Sequence, residues 1–388
     1  MSSLPSAPAG APRYAELESL RGLAALLVVL FHVPGWNRAL HDVAIIRNGA
    51  LMVQLFFVLS GFVIYTAYGQ KLQSGGAVLR FQLLRLGRLY PVHLLTLAAF
   101  LLMELIKYPL QQTDYYLGDP FVSNTWHAFF QQLLLIQAIG PHNAGFTFNG
   151  PAWSISVEFY TYLLFAGVVC LLPRVKLWVC AALALGGMYM MWAKVGTDYI
   201  NLVWCVAGFF LGCLIAALVQ ARSLVLPAFT PWLALALLLA FLQFNHSVRN
   251  DVAIFPLAGL LILGIVCGRP GVFQRVLRAP ALQWLGQHSY AIYMVHAFVL
   301  NLFLIGLFYG LPERIQDDGS NLPHLFLGEA LVVYFAFLAV TLSLAAALHR
   351  YVETPWRTRS RKWVQREAAP WWLLGALALL CGMQYLSR

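Results

Sequence analysis

Charge is what this chain has least of. Only 10% of its 388 residues are Asp, Glu, Lys or Arg, while 61% are hydrophobic. A soluble domain carries about 25% charged residues, so a string of soluble domains is excluded. Acidic residues are the scarcer sign, 15 against 25 Lys and Arg. The resulting net charge of +10 reads as topology-setting charge in the loops of a multi-pass chain, and no nucleic-acid partner is expected. The six cysteines are scattered through apolar segments, without a CxxC pair or Cys/His metal spacing. Neither a disulfide framework nor a metal site is expected. No Gly/Ser-rich linker or second composition regime interrupts the chain, so one transmembrane domain is expected over residues 19–388, behind a cytoplasmic tail of residues 1–18. The first apolar run carries Arg and His and lacks a clear cleavage site, which reads as a retained helix.

What the sequence does have is a series of long, continuous apolar runs rich in Leu, Ala and Val. In lipid only helices and closed barrels satisfy their own backbone groups, and runs of this kind lack the short alternation of barrel strands. Helices are expected at 20–36, 49–68, 86–106, 153–172, 177–193, 200–219, 231–245, 252–268, 285–310, 325–348 and 370–386. The apolar patch Phe129 to Ile139 is too short to span and is followed by Gly140, Pro141, Gly145 and Gly150. Residues 124–150 are therefore expected to be re-entrant or interfacial. With the N-terminus inside, eighteen of the 25 basic residues fall on the inner side and seven on the outer. This asymmetry fits eleven spans with the C-terminus out, and it collapses if 124–150 crosses. No strong internal repeat is visible, which weighs against a transporter. The expected fold is an all-α polytopic membrane protein, with about 10–11 transmembrane helices around an intramembrane polar pocket.

The rare polar residues inside these runs carry the functional information. Arg21 and His32 are eleven positions apart in the first run. On a helix that spacing returns to within roughly 20° of the same direction over about 16 Å. An arginine within a span usually faces a protein interior or a water-filled cavity, although one near a helix end can also snorkel to the headgroups. Arg85 and Arg88 are three apart and are neighbours on a helix surface, with Arg80 close by. Guanidinium forks suit phosphate oxygens; positive charge here would equally anchor the inner face. Glu158 lies in an apolar run with Ser154 on the same helical face, and a buried carboxylate needs a partner from another helix. Tyr293 and His296 share a face, where His296 could be catalytic or a packing residue. His349 to Arg357, with the basic residues after it, reads alone as a membrane-surface anchor. Glu104 is another intramembrane carboxylate without an assigned role.

These segments, in this order, resemble membrane-bound acyltransferase family 3, which includes O-antigen and exopolysaccharide O-acetylases and macrolide acyltransferases. The resemblance rests on Arg21/His32, the Phe56 to Phe62 stretch containing Ser60, and Arg85/Arg88 with Pro91. Trp153 to Glu158, Gly286 to His296 and Glu353-Thr354-Pro355 complete it. Gln54 stands where many members carry Asp, and the chain looks like a stand-alone form without a fused hydrolase-like domain.

The resemblance implies transfer of an acyl group, usually acetyl from acetyl-CoA, to a hydroxyl of a sugar or glycolipid in the bacterial inner membrane. It implies His32, Glu158 and Arg21 as catalytic. Arg80, Arg85, Arg88, Arg21, Ser60, Tyr293 and His296 would bind the donor. His32 could act as general base oriented by Glu158, or could carry the acyl group itself. A glycan or lipid flippase lined by the same residues is the alternative, and a homodimer is compatible with the sequence.

Overall fold

Residues 14–115, 117–140, 145–315 and 322–366 are described in a computed structural model of the chain. Among them there are helices and isolated bridges but no extended strand. The main elements are α1 (Ala15–His32), α2 (Met52–Tyr68), α3 (Gly75–Leu110), α4 (Trp126–Leu133), α5 (Trp153–Leu171), α6 (Lys176–Ala193) and α7 (Ile200–Ala221). They continue with α8 (Thr230–Phe244), α9 (Ile254–Cys267), α10 (Pro280–Gly310), α11 (Leu327–Leu348) and α12 (Thr354–Arg366). Among the described residues seven segments, containing α2, α3, α5, α6, α7, α10 and α11, are long and apolar enough to cross a membrane; α8 and α9 are shorter apolar helices. The chain is an all-α polytopic membrane protein. The helix expected at 370–386 lies outside the described residues.

Hydrogen bonds between loops sort them onto two faces. On one face Lys176 Nζ donates to the Gly69 carbonyl at 2.7 Å, and Leu226 N donates to the Cys267 carbonyl at 2.8 Å. On the other, Asn48 Nδ2 donates to the Leu242 carbonyl at 2.8 Å, and Leu325 N donates to the Trp36 carbonyl at 2.7 Å. That alternation holds only if residues 124–150 do not cross. Among the described residues of this stretch none forms a span: α4 is eight residues long, about 12 Å. Irregular backbone at membrane depth is tolerated where protein surrounds it, and here neighbouring spans satisfy its carbonyls. His93 Nε2 donates to Gln132 O at 2.8 Å, Tyr90 OH to Leu133 O at 2.9 Å, and Ser156 Oγ to Leu135 O at 2.6 Å.

Three helices begin well before their apolar runs, α10 at Pro280 being five residues early. α1 begins at Ala15, where Glu16 and Glu18 occupy the first turn. Acidic residues there favour the helix dipole, and Glu16 pairs with Arg278 at 2.6 Å. α3 has 36 residues, about 54 Å, well beyond a hydrocarbon core of about 30 Å. It projects past the face that holds Gly69, carrying Arg80, Arg85 and Arg88 on its first half.

α1 lies parallel to α10 in a fixed register. A Cβ on Gly22 would come within 2.6 Å of Gly286 N, and one on Gly286 would overlap the Glu18 carbonyl. Small residues of this kind let membrane helices approach backbone to backbone. Ten residues further on in each helix, the rings of His32 and His296 meet with centroids 4.9 Å apart. Gln283 Nε2 donates to Ala15 O at 2.8 Å and to Ser19 Oγ at 2.7 Å, closing the other end of the contact.

Gly286→Val should therefore lower the melting temperature of the detergent-solubilised protein sharply, because overpacking costs about 1–3 kcal/mol or more. Gly306→Val is the control on the same helix, since a Cβ there meets nothing within 4 Å. Equal melting temperatures for the two variants would contradict the close contact.

Candidate active site

The helices place the polar residues in two cavities on opposite sides of a buried partition. The smaller, of about 60 Å³, is lined by Arg21 of α1, Ser60 of α2, Ser154 and Glu158 of α5, and Ser289, Tyr290 and Tyr293 of α10. Glu158 Oε1 accepts from Ser60 Oγ at 2.6 Å and from Tyr162 OH at 2.5 Å. Tyr162 follows Glu158 by four residues, one helical turn. Arg21 faces this carboxylate within electrostatic range. It makes no hydrogen bond or ion pair to any described residue.

Beyond Arg21, toward the face with Gly69, lies a group of arginines. Arg88 is an electrostatic neighbour of both Arg21 and Arg85. Arg85 rests over the rings of Tyr68 and Phe81, at 5.6 Å and 5.7 Å, and its buried Nε has no acceptor. Each guanidinium carries five N–H donors and cannot neutralise. Three of them with no protein acceptor among the described residues leave donors that an anion with several oxygens could satisfy. Arg80 stays exposed, about 140° round the helix from Arg85, and the structure does not bring it into the group.

The larger cavity, of about 530 Å³, lies on the other side. His32, Trp153, Phe148, Phe146 and Asn301 line it, and Glu104, Lys107 and Asn124 close its far end. Glu104 accepts from Lys107 Nζ, Asn124 Nδ2 and Phe121 N, each at 2.7 Å. A carboxylate and an ammonium so paired make a polar but neutral wall.

The partition is built by Tyr293, Ser154 and Pro151. Tyr293 OH donates to the Pro151 carbonyl at 2.8 Å and accepts from Ser154 Oγ at 2.9 Å. Tyr293 and Ser154 face the small cavity, whereas Pro151 faces the large one. The single pocket expected around Arg21 and His32 is thus two spaces, with one residue in each. Both side chains line cavities between helices.

His32 Nδ1 bonds the Val28 carbonyl at 2.8 Å, and His296 Nδ1 bonds the Tyr293 carbonyl at 2.7 Å. A carbonyl only accepts, so in each neutral ring the proton sits on Nδ1 and Nε2 is the base. His296 is fully buried behind His32. The orienting group of His32 is therefore main chain. The expected Glu158–His32 pair is not formed, because Glu158 lies a turn beyond the Tyr293–Ser154 layer and spends its bonds on Ser60 and Tyr162.

Two residues of the site were not singled out from the sequence. Tyr162 is signalled by its position one turn after Glu158. Arg357 is signalled in the same way, one turn after Glu353, to which it bonds at 3.3 Å.

A family model described as an acyltransferase domain matches residues 14–350. Acyltransferase MdmB of Streptomyces mycarofaciens is 28% identical over 389 residues, covering 89% of this chain and 92% of that protein. Putative acetyltransferase ORF330 of Acidianus two-tailed virus is 24% identical over 322 residues, 79% of this chain and 89% of that one. Putative O-acetyltransferase SACOL0978 of Staphylococcus aureus (strain COL) is 22% identical over 384 residues, 89% of this chain and 58% of that protein. No solved structure gives a significant match.

Removing the cation from the far wall of the large cavity leaves Glu104 buried with neutral donors only. Lys107→Met should destabilise the protein by roughly 3 kcal/mol, and adding Glu104→Gln should restore much of the loss. A thermal-melt double-mutant cycle reads this coupling, and additive effects would show that the pair is independent.

Proposed function

The chain belongs to the acyltransferase family whose model it matches, and on that premise we propose that it moves an acyl group, acetyl from acetyl-CoA, to a hydroxyl of a carbohydrate or glycolipid. The observation that carries this reading is the row of three guanidiniums without protein acceptors, leading inward to a histidine whose base nitrogen is free. Arg85 and Arg88 would hold the donor's phosphates. Arg21, facing Glu158 across the small cavity, would guide the thinner thioester arm.

Passage to His32 requires the Tyr293–Ser154 layer to part. At His32 the acceptor hydroxyl gives its proton to Nε2 as its oxygen attacks the thioester carbonyl. The C–S bond breaks, and the proton passes on to the departing thiolate. Val28 holds the ring in the tautomer this step needs, the task a carboxylate performs in a hydrolytic triad.

The large cavity suits the acceptor. Its volume falls in the usual range for ligand sites, about 300–1,000 Å³, its walls mix aromatic rings with amide and neutralised charged groups, and His32 opens onto it. Placing the arginines at the cytoplasmic face of a bacterial inner membrane puts the donor where it is made and leaves the large cavity open to exported acceptors. This is the orientation that the loop charges favour.

Membranes carrying His32→Ala should insert and fold normally but transfer labelled acetyl roughly 10²–10⁴-fold more slowly than wild type, the usual contribution of a positioned acid–base group. Labelled product and free CoA are the readouts. Wild-type turnover by this variant would remove His32 from the reaction, and absence of CoA release by the wild type would favour a flippase.

A further inference from the structure

We propose that Arg357, on α12, reads the 3′-phosphate of the donor nucleotide, making the donor site bipartite. The inference rests on the reading above that the donor is a coenzyme A thioester.

The geometry begins with a π-turn. α11 does not run straight into α12; residues His349–Glu353 form a π-helical turn between them. Such turns insert an extra residue into the ladder and re-aim side chains. Glu353 ends only 2% exposed. Its Oε2 bonds His349 Nδ1 at 3.0 Å, and its Oε1 accepts from Arg357 Nη1 at 3.3 Å. The His349 ring packs on that of His288 of α10, with centroids 4.5 Å apart. Glu353 is thus fixed from α10 and holds Arg357 in turn.

α12 is itself fixed against α3. A Cβ on Gly87 would sit 2.5 Å from Ser360 Cβ, so the two helices touch there without an intervening side chain. Leu79, Leu83 and Val364 form a small core beside that contact. This brings Arg357 into electrostatic range of Arg88 and Arg85. Positive groups gathered this way repel one another, and the one carboxylate bonded to Arg357 does not balance them.

The arginines also have an order. Arg21 has Arg88 as its arginine neighbour, Arg88 is shared, and Arg357 has Arg88, Arg361 and Arg85. Arg21 and Arg357 thus approach the group from different helices, with Arg88 the neighbour they share. In coenzyme A the order from the thioester is pantetheine arm, diphosphate, then ribose with its 3′-phosphate. Arg85 and Arg88 match the diphosphate and Arg357 the terminal monophosphate. Arg357 is partly exposed, with 36% of its side chain accessible, as a group that reads the outer end of a ligand must be. Glu353 touches no donor atom in this scheme and is a positioning residue.

The test is equilibrium binding of coenzyme A and 3′-dephospho-coenzyme A to the purified full-length protein in detergent. Wild type should bind coenzyme A on the order of tenfold more tightly than its dephospho form, the worth of one charge-assisted contact. Arg357→Ala should bring that ratio close to one while leaving dephospho-coenzyme A binding as in wild type. Arg85→Ala should weaken both ligands and keep the ratio. Glu353→Gln should reduce the ratio with Arg357 intact, a change that general loss of structure does not produce. A wild-type ratio of one, or equal weakening of both ligands by Arg357→Ala, overturns the bipartite site and leaves the donor reading standing. Failure of wild type to bind either ligand overturns both.

Discussion

The contact on which the rest depends is the approach of α1 to α10 at Gly22 and Gly286. No side chain separates the two backbones there. Because the helices run parallel, the register set at the glycines persists to His32 and His296, where two rings meet. That one contact presents Arg21 to the small cavity and His32 to the large one. It also decides which residues of α10 share the site: Ser289 and Tyr293 beside Arg21, His296 behind His32.

The scarcity of charge gives each remaining charge a legible purpose. A lipid-embedded chain keeps an ionisable group only where protein or water receives it. Glu104 has three donors, Glu158 has two hydroxyls, and Glu353 has an imidazole and a guanidinium. The carboxylates are satisfied by the protein. Arg21, Arg85 and Arg88 are not, and that imbalance is what the proposed donor site rests on. The same economy governs the backbone around α4, whose carbonyls are taken up by His93, Tyr90 and Ser156.

Much of this was legible in the sequence because it depends on helical periodicity. The inward stripe of Arg21 and His32, the neighbouring Arg85 and Arg88, and the failure of Phe129–Ile139 to span all follow from spacing and length. What was not legible depends on how helices meet. The partner of Glu158 comes from α2 as much as from its own helix, so a histidine or arginine was expected where the Ser60 hydroxyl stands. The partition between the cavities rests on Tyr293 reaching a carbonyl at Pro151, a contact between segments 142 residues apart. Arg357 read as a surface anchor because nothing in its neighbours' spacing reveals the π-turn or the docking of α12 on Gly87. Arg80 lies apart from the group for a plainer reason: it belongs to the same basic run as Arg85 but to a different face of α3.

The central claim is that the donor and acceptor reach His32 from opposite faces. It is tested most directly in proteoliposomes of determined orientation, with acetyl-CoA confined to one compartment and the acceptor to the other. The account predicts acetylated acceptor only when the thioester is on the face bearing Arg85 and Arg88, with free CoA staying on that side. Transfer only when both substrates share one compartment would contradict it.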